Sequence, residues 1–391
     1  MDSLTQIVLG ASVAELTVGK KIGNRAILWG AIAGTIPDLD MITSFMVDDI
    51  TANEWHRAFS HSVFFCLIAS PLFAWIMKKS EKLFLSLFLA VVFLLFIFAF
   101  WENSAKVSFA LILLFVGVVW IIRRFFKDKN SEASRGDWTK MFFWCLLTHP
   151  LLDCHTSWGT QILWPLPYKF SWNNIFVADL FYTIPFLACV AILMFYKRNN
   201  PKRRLWNAIG LGISSAYMVL TLIFKWVTFN QFEYALENQN IDYVKMSTRP
   251  TPFNAILWTA NVETKDAYYM GFRSLFDKTD SVHFARIEKN HDWIEHLMDE
   301  KDIHRLIKLS QDEWAITKTD SCWLFNDLRF GQMEGPSSDG EFVFSYAIKE
   351  TEEGIEITGL EPGPRRENDG KGMLEEISKG MGQIFERAKG I

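Results

Sequence analysis

The chain is poor in cysteine, and the cysteines it has form no pattern. Cys66, Cys145, Cys154, Cys189 and Cys322 are five among 391 residues, with no CxxC spacing. No disulfide framework is indicated. Four of the five lie in apolar segments, where a free cysteine acts as a small buried hydrophobe. Excess charge is also lacking. The net charge is -4, which gives no reason to expect a nucleic-acid partner. The first residues, MDSLTQIVLGASVAEL, have neither the basic start nor the small-residue cleavage site of a signal peptide, so we expect them to be retained. No GxSxG motif and no Cys/His pairing points to a serine or cysteine nucleophile.

What the chain has in quantity is apolar surface. Half of its residues are hydrophobic, with 34 Phe and 16 Trp. The distribution is uneven. Up to about Phe229 apolar runs dominate, and from Asn230 the sequence is charged and mixed like a water-soluble domain. A crossing helix needs about 20 mainly apolar residues. Residues 62–77, 83–101, 107–122, 175–196 and 205–224 approach or meet this, and 4–18, 26–37 and 138–152 are weaker. The sequence therefore predicts a mainly α protein, with a polytopic helical membrane domain over 1–229, a soluble α+β domain over 230–365 and a charged, Gly-rich tail over 366–391.

Basic residues cluster at Lys20/Lys21/Arg25, Lys78/Lys79/Lys82, Arg123 to Lys140 and Lys197 to Arg204. If all four clusters are cytoplasmic, the crossings alternate as the positive-inside rule requires. That expectation places the protein in the inner membrane as a multi-pass protein, with the C-terminal domain facing the periplasm or exterior.

The polar exceptions are the informative residues. Asp2, Asp38, Asp40, His56, His61, His149, Asp153, His155 and Asp179 all fall at the outer ends of their segments, and the basic clusters set that topology independently of them. In HPLLD, His149 and Asp153 share one helix face at i and i+4. IPDLD ends one apolar segment with two carboxylates, and EWHRAFSHS begins the next with two imidazoles. Neutral imidazole and carboxylate ligate zinc and harder divalent ions. Each residue has an ordinary reading as a cap or interfacial group, but their coincidence on one side favours a shared ligand.

MDSLTQIVLGA, GAIAGTIPDLD, HRAFSHS, HPLLDCHTSWGTQILWPL and the later TRPTPFNAILW resemble the YdjM-like family of membrane-bound, metal-dependent hydrolases, itself grouped with zinc-dependent phospholipases C and single-strand nucleases. The resemblance implies an HxxxD pair at His149 and Asp153, with Asp153 able to bridge two metals. Asp38 or Asp40, with His56 or His61, would supply an earlier pair. Gln6 stands where some members carry His, and no His-rich ligands follow Asp153. One or two ions, rather than three, are therefore expected.

The resulting expectation is a hydrolase acting at the outer membrane face on a phosphoester or other ester of an amphiphilic, lipid-like substrate. Its ligands for zinc or another divalent ion would be Asp40, His56, His61, His149 and Asp153, with Asp38 or Asp179 accepting a proton from water. The bilayer is the expected partner, and no protein partner is indicated. The competing expectation is a membrane scaffold or transporter-like protein with a structural polar cluster. A transporter site lies nearer the midplane, whereas these groups sit at segment ends.

Overall fold

The computed structural model describes residues 1–100, 115–117, 120, 132–332, 335–352, 354–360 and 382–390. Most of the expected segment at 107–122, the basic run from Arg123 to Lys129 and most of the tail lie outside these residues. The chain forms two compact units. One comprises Met1–Ser171 and Phe181–Ala216, the other Trp172–Leu180 and Tyr217–Ile391.

The first unit is helical. Its elements are α1 (Ser3–Ile22), α2 (Asn24–Thr35), a 3-10 helix (Pro37–Phe45), α3 (Asp49–Trp55), a 3-10 turn (Phe59–His61), α4 (Val63–Lys79), α5 (Glu81–Phe100), α6 (Arg135–Asp153) and nearly all of α7 (Leu180–Leu193). The start of α8 (Pro201–Asn238) belongs to it as well. Side chains set the helix starts. The Asp2 carboxylate accepts from Thr5 N at 3.1 Å and the Ser62 hydroxyl from Phe65 N at 3.0 Å. Ser134 and Asp137 form a reciprocal capping box at α6.

α1 and α2 approach closely because glycine lines their contact. A Cβ on Gly30 would stand 2.3 Å from Gly10 O and 2.4 Å from Ala14 Cβ, and one on Gly34 would stand 2.5 Å from Gln6 O. α6 packs against α1, α4 and α2, burying Trp138, Phe142, Leu146, His149 and Asp153. At the far end of α1, the guanidinium of Arg203 donates to both Glu15 carboxylate oxygens at 2.7 and 2.6 Å and to Asn24 Oδ1 at 2.5 Å. Lys21 pairs with Asp137 at 2.6 Å there. The basic ends of α1 and α6 thus lie together, and Met1, Gln6, His149 and Asp153 lie at their other ends.

The polytopic domain expected from sequence requires correction. Among the described residues, one helix, α8, is long and apolar enough to cross a membrane. The count rises to two if the bent pair Asp49–His61 and Val63–Lys79, angled by 61°, is a single broken span. The reason is that much of the apolar sequence serves helix–helix packing. α1 buries Val8, Leu9, Ala11, Val13, Ala14 and Val18. α2 has 12 residues. The run at 175–196 yields α7, with 14 residues. A hydropathy window does not separate a face turned to lipid from one turned to another helix.

The second unit holds two antiparallel four-stranded meanders, in the orders β1-β2-β3-β4 and β5-β6-β7-β8. The first contains β1 (Lys245–Pro250), β2 (Leu257–Glu263), β3 (Ala267–Ser274) and β4 (Phe284–Glu288). The second contains β5 (Trp314–Lys318), β6 (Trp323–Gln332), β7 (Phe342–Thr351) and β8 (Gly354–Leu360). Phe232, Ala235 and Leu236 of α8 pack on Trp258, Ala260 and Val262 of β2. Between the two sheets in sequence lie a 3-10 segment, His291–Leu297, and α9 (Lys301–Leu309).

Candidate metal centre

Four side chains from three elements of the first unit converge. Asp38 comes from the 3-10 helix after α2, His61 from the turn before α4, and His149 and Asp153 from the last turns of α6. One ligand atom from each lies within 4.8 Å of all the others. The imidazole Nε2 atoms of His61 and His149 are 3.2 Å apart. Asp38 Oδ1 is 3.4 Å from His61 Nε2 and 3.3 Å from His149 Nε2. Asp153 Oδ2 is 3.4 and 3.3 Å from the same two atoms.

The hydrogen bonds behind the imidazoles determine which nitrogens face inward with a lone pair. His149 Nδ1 is 2.6 Å from Gly34 O. A carbonyl only accepts, so Nδ1 carries the proton and Nε2 is the ligating atom of the neutral ring. His61 Nδ1 is 3.2 Å from Asp40 Oδ2 and 3.0 Å from Ser60 Oγ. The Ser60 proton goes to Asp40 at 2.7 Å, so the ring again donates from Nδ1. With both rings neutral, four acceptor atoms face one another with no donor among them. Asp153 Oδ2 is buried and accepts no hydrogen bond. Such a convergence is costly unless a cation fills it, and the donor set of two imidazoles and two carboxylates suits zinc.

Burial alone would raise the Asp38 carboxyl, but His149 and His61 in their protonated form outweigh it and hold the group well below the ordinary carboxylate range, and the carboxylates in turn raise both imidazoles, so protons and a metal compete for the same lone pairs. Burial likewise opposes ionisation of Asp40, and its bonds to His56 and His61 hold it down. Both are carboxylates at neutral pH, the form in which Asp38 could bind a metal.

Asp40 and His56 lie outside the group of four. The Asp40 carboxylate accepts from His56 Nδ1 at 3.0 Å, from the Arg57 backbone N–H at 3.1 Å and from Ser60, and orients His61 from behind. Asp179 belongs to the second unit, where it accepts from the Tyr217 hydroxyl at 3.0 and 3.2 Å. His155 is also outside the group. Gln6 donates to Asp153 Oδ1 at 3.0 Å and to His149 O at 3.2 Å, so it holds a carboxylate in place. The Met1 amino group contacts the same oxygen. Gly34, Ser60 and Gln6 went unrecognised in the sequence as supports of the cluster. For Ser60 the available signal was its place inside HRAFSHS, next to His61.

The sequence profile of the YdjM inner membrane proteins matches residues 1–102 and 108–231. The chain belongs to the YdjM inner membrane protein family. The matched residues include all four of the converging side chains and exclude both sheets of the second unit. No curated protein matches the chain, and no solved structure does. As a member of the YdjM family it is a membrane protein. Phe64, Leu67, Leu72 and Trp75 on α4, and Ile213, Val219, Leu222 and Trp226 on α8, expose apolar surface suited to that setting.

Proposed function

We propose that this YdjM protein is a membrane-bound, metal-dependent hydrolase whose centre holds zinc through Asp38, His61, His149 and Asp153. One observation carries the reading. Ligands about 2.0–2.1 Å from a tetrahedral zinc ion are separated from one another by about 3.3–3.4 Å; the separation of the two imidazole nitrogens and those of each nitrogen from each carboxylate oxygen run from 3.2 to 3.4 Å, and the two carboxylate oxygens lie within 4.8 Å of each other. The outer supports fit as well, since ligating histidines hand their second N–H to a carboxylate or carbonyl, as His61 does to Asp40 and His149 to Gly34.

A catalytic zinc keeps one position open. Asp38 is the ligand nearest solvent, its side chain 20 % exposed against 0–1 % for the other three. It is the group whose release would open the shell, and as a carboxylate it could then take a proton from water. The metal would supply an acidified water and a polarised ester oxygen. The substrate we favour is an amphiphilic phosphoester or other ester, because the centre belongs to a membrane protein. A second reading, a structural metal in a membrane scaffold, is favoured by the four-protein-ligand shell itself. Chelation separates the two. On the hydrolase reading, chelated protein loses turnover of an activated phosphodiester, keeps its helical circular dichroism, and regains turnover when zinc is restored. Unfolding on chelation, with no turnover at any stage, would sink that reading.

α8 begins at the basic end of the first unit, with Lys202, Arg203 and Arg204. By the positive-inside rule that end faces the cytoplasm, and the cluster, at the opposite ends of α1 and α6, faces outward; one crossing by α8 would put the chain that follows it outside the cytoplasm. A reporter active only outside the cytoplasm, fused after Ile391, should be active. Activity of a cytoplasm-only reporter at that position would reverse the orientation.

A further inference from the structure

A cationic side chain also stands beside the cluster without being a ligand. Arg57 is 5 % exposed. Its Nη1 donates to Thr156 Oγ1 at 2.8 Å, and that hydroxyl donates to Asp153 O at 2.8 Å. Its Nε is buried with no hydrogen-bond partner, 3.6 Å from Asp153 Oδ2, one of the four ligand atoms. The residue adopts φ +60°, a left-handed conformation that costs a non-glycine residue about 1–3 kcal/mol and persists only where its surroundings enforce it. The enforcement is visible. Its N–H is bound by Asp40 at 3.1 Å, and its carbonyl accepts from Gln161 N at 2.9 Å.

Charge accounting gives this placement a purpose. Two carboxylates and two neutral imidazoles cancel a divalent ion, and the charges left beside it, Arg57 and the Met1 amino group against Asp40, sum to a positive excess. Asp153 is the one carboxylate paired with Arg57 among the described residues, and its charge is then committed to the metal. The guanidinium becomes a buried positive charge without a full counter-ion, a costly state unless an anion arrives. A neutral carboxylic ester brings none. A phosphoryl group does, and guanidinium N–H groups match its oxygens.

We infer that Arg57 is the anion-reading side chain of the centre, and that the substrate class is an anionic phosphoester in preference to a neutral carboxylic ester. This rests on the metal reading above, so the test measures metal and anion separately. Full-length protein in detergent is loaded with zinc, its zinc content is measured, and inorganic phosphate is titrated calorimetrically into wild type, Arg57→Lys and Arg57→Gln. Loss of charge-assisted hydrogen bonds should weaken phosphate binding roughly 10- to 100-fold in Arg57→Gln, with a smaller loss in Arg57→Lys and zinc content unchanged in both. The ratio of kcat/KM for an activated phosphodiester to that for an activated acetate ester should fall by a similar factor in Arg57→Gln. Equal phosphate affinity in wild type and Arg57→Gln overturns the inference. So does loss of zinc from both variants, which would make Arg57 a support of Asp153. Wild type that holds zinc but not phosphate removes the inference and leaves the metal centre standing, whereas wild type that takes up no zinc removes both.

Discussion

Replacing His149 or Asp153 with alanine should strip zinc from the purified protein, weakening its binding by more than about 100-fold. Changes in the groups behind a metal's ligands typically cost 10- to 100-fold, and these substitutions remove a ligand itself. Asp40→Asn, which alters the support behind His61, should fall within that smaller range. The fold should survive, since the packing of α6 rests on Trp138, Phe142 and Leu146 as well. His304→Ala, at an exposed position on α9, should leave zinc content unchanged. Acid should mimic the ligand substitutions. Each ligating imidazole must be neutral, so protons compete with the metal and affinity falls as pH drops. Equilibrium dialysis with metal analysis measures all of these, and full retention of zinc by both alanine variants would remove the proposed centre.

Gly30→Val should be the most damaging single change outside the centre. The new Cβ would meet the carbonyl oxygen of Gly10 at 2.3 Å and Ala14 Cβ at 2.4 Å. Backbone atoms have no rotamer with which to yield, so α1 and α2 must separate. Overpacking usually costs 1–3 kcal/mol, and a clash with backbone should reach about 3 kcal/mol or more. The damage should spread to the metal, because the end of α2 carries Gly34 O, which orients His149, and leads into Asp38. Gly212→Ala on α8 is the control. A Cβ there meets nothing within 4 Å, and helix propensity should make the change neutral or slightly stabilising. Thermal melts in detergent, read beside zinc content, check both. A Gly30→Val protein with wild-type melting and wild-type zinc would mean that the α1–α2 contact is not as close as described.

Part of the centre was legible in the residues alone. His149 and Asp153 four apart on an apolar helix must share a face, whatever the tertiary fold. The choice between Asp38 and Asp40 was not legible. They lie two apart on a 3-10 helix, whose three-residue turn points them in different directions, and only the packing of that helix decides which meets the imidazoles. The roles of His56 and His61 depend on the left-handed backbone at Arg57, φ +60°, which no pattern of neighbouring residue types announces. In the second unit, β2, β3, β7 and β8 correspond to runs rich in β-branched and aromatic residues, whereas β1, KMSTRP, does not. β6 was hidden because it buries Asn326, Asp327 and Arg329, so its inward face does not read as apolar. The membrane topology was over-read for the opposite reason. Glycine contacts and an interhelical Arg203–Glu15 pair let apolar helices bury one another.

Zinc K-edge X-ray absorption on the purified, zinc-loaded full-length protein tests the central claim most directly. The account predicts a first shell of nitrogen and oxygen only, about four atoms near 2.0–2.1 Å, with outer-shell scattering from two imidazoles that falls to one in any residual metal bound by His149→Ala. A sulfur neighbour near 2.3 Å, or an imidazole signal unaltered by that substitution, would contradict it.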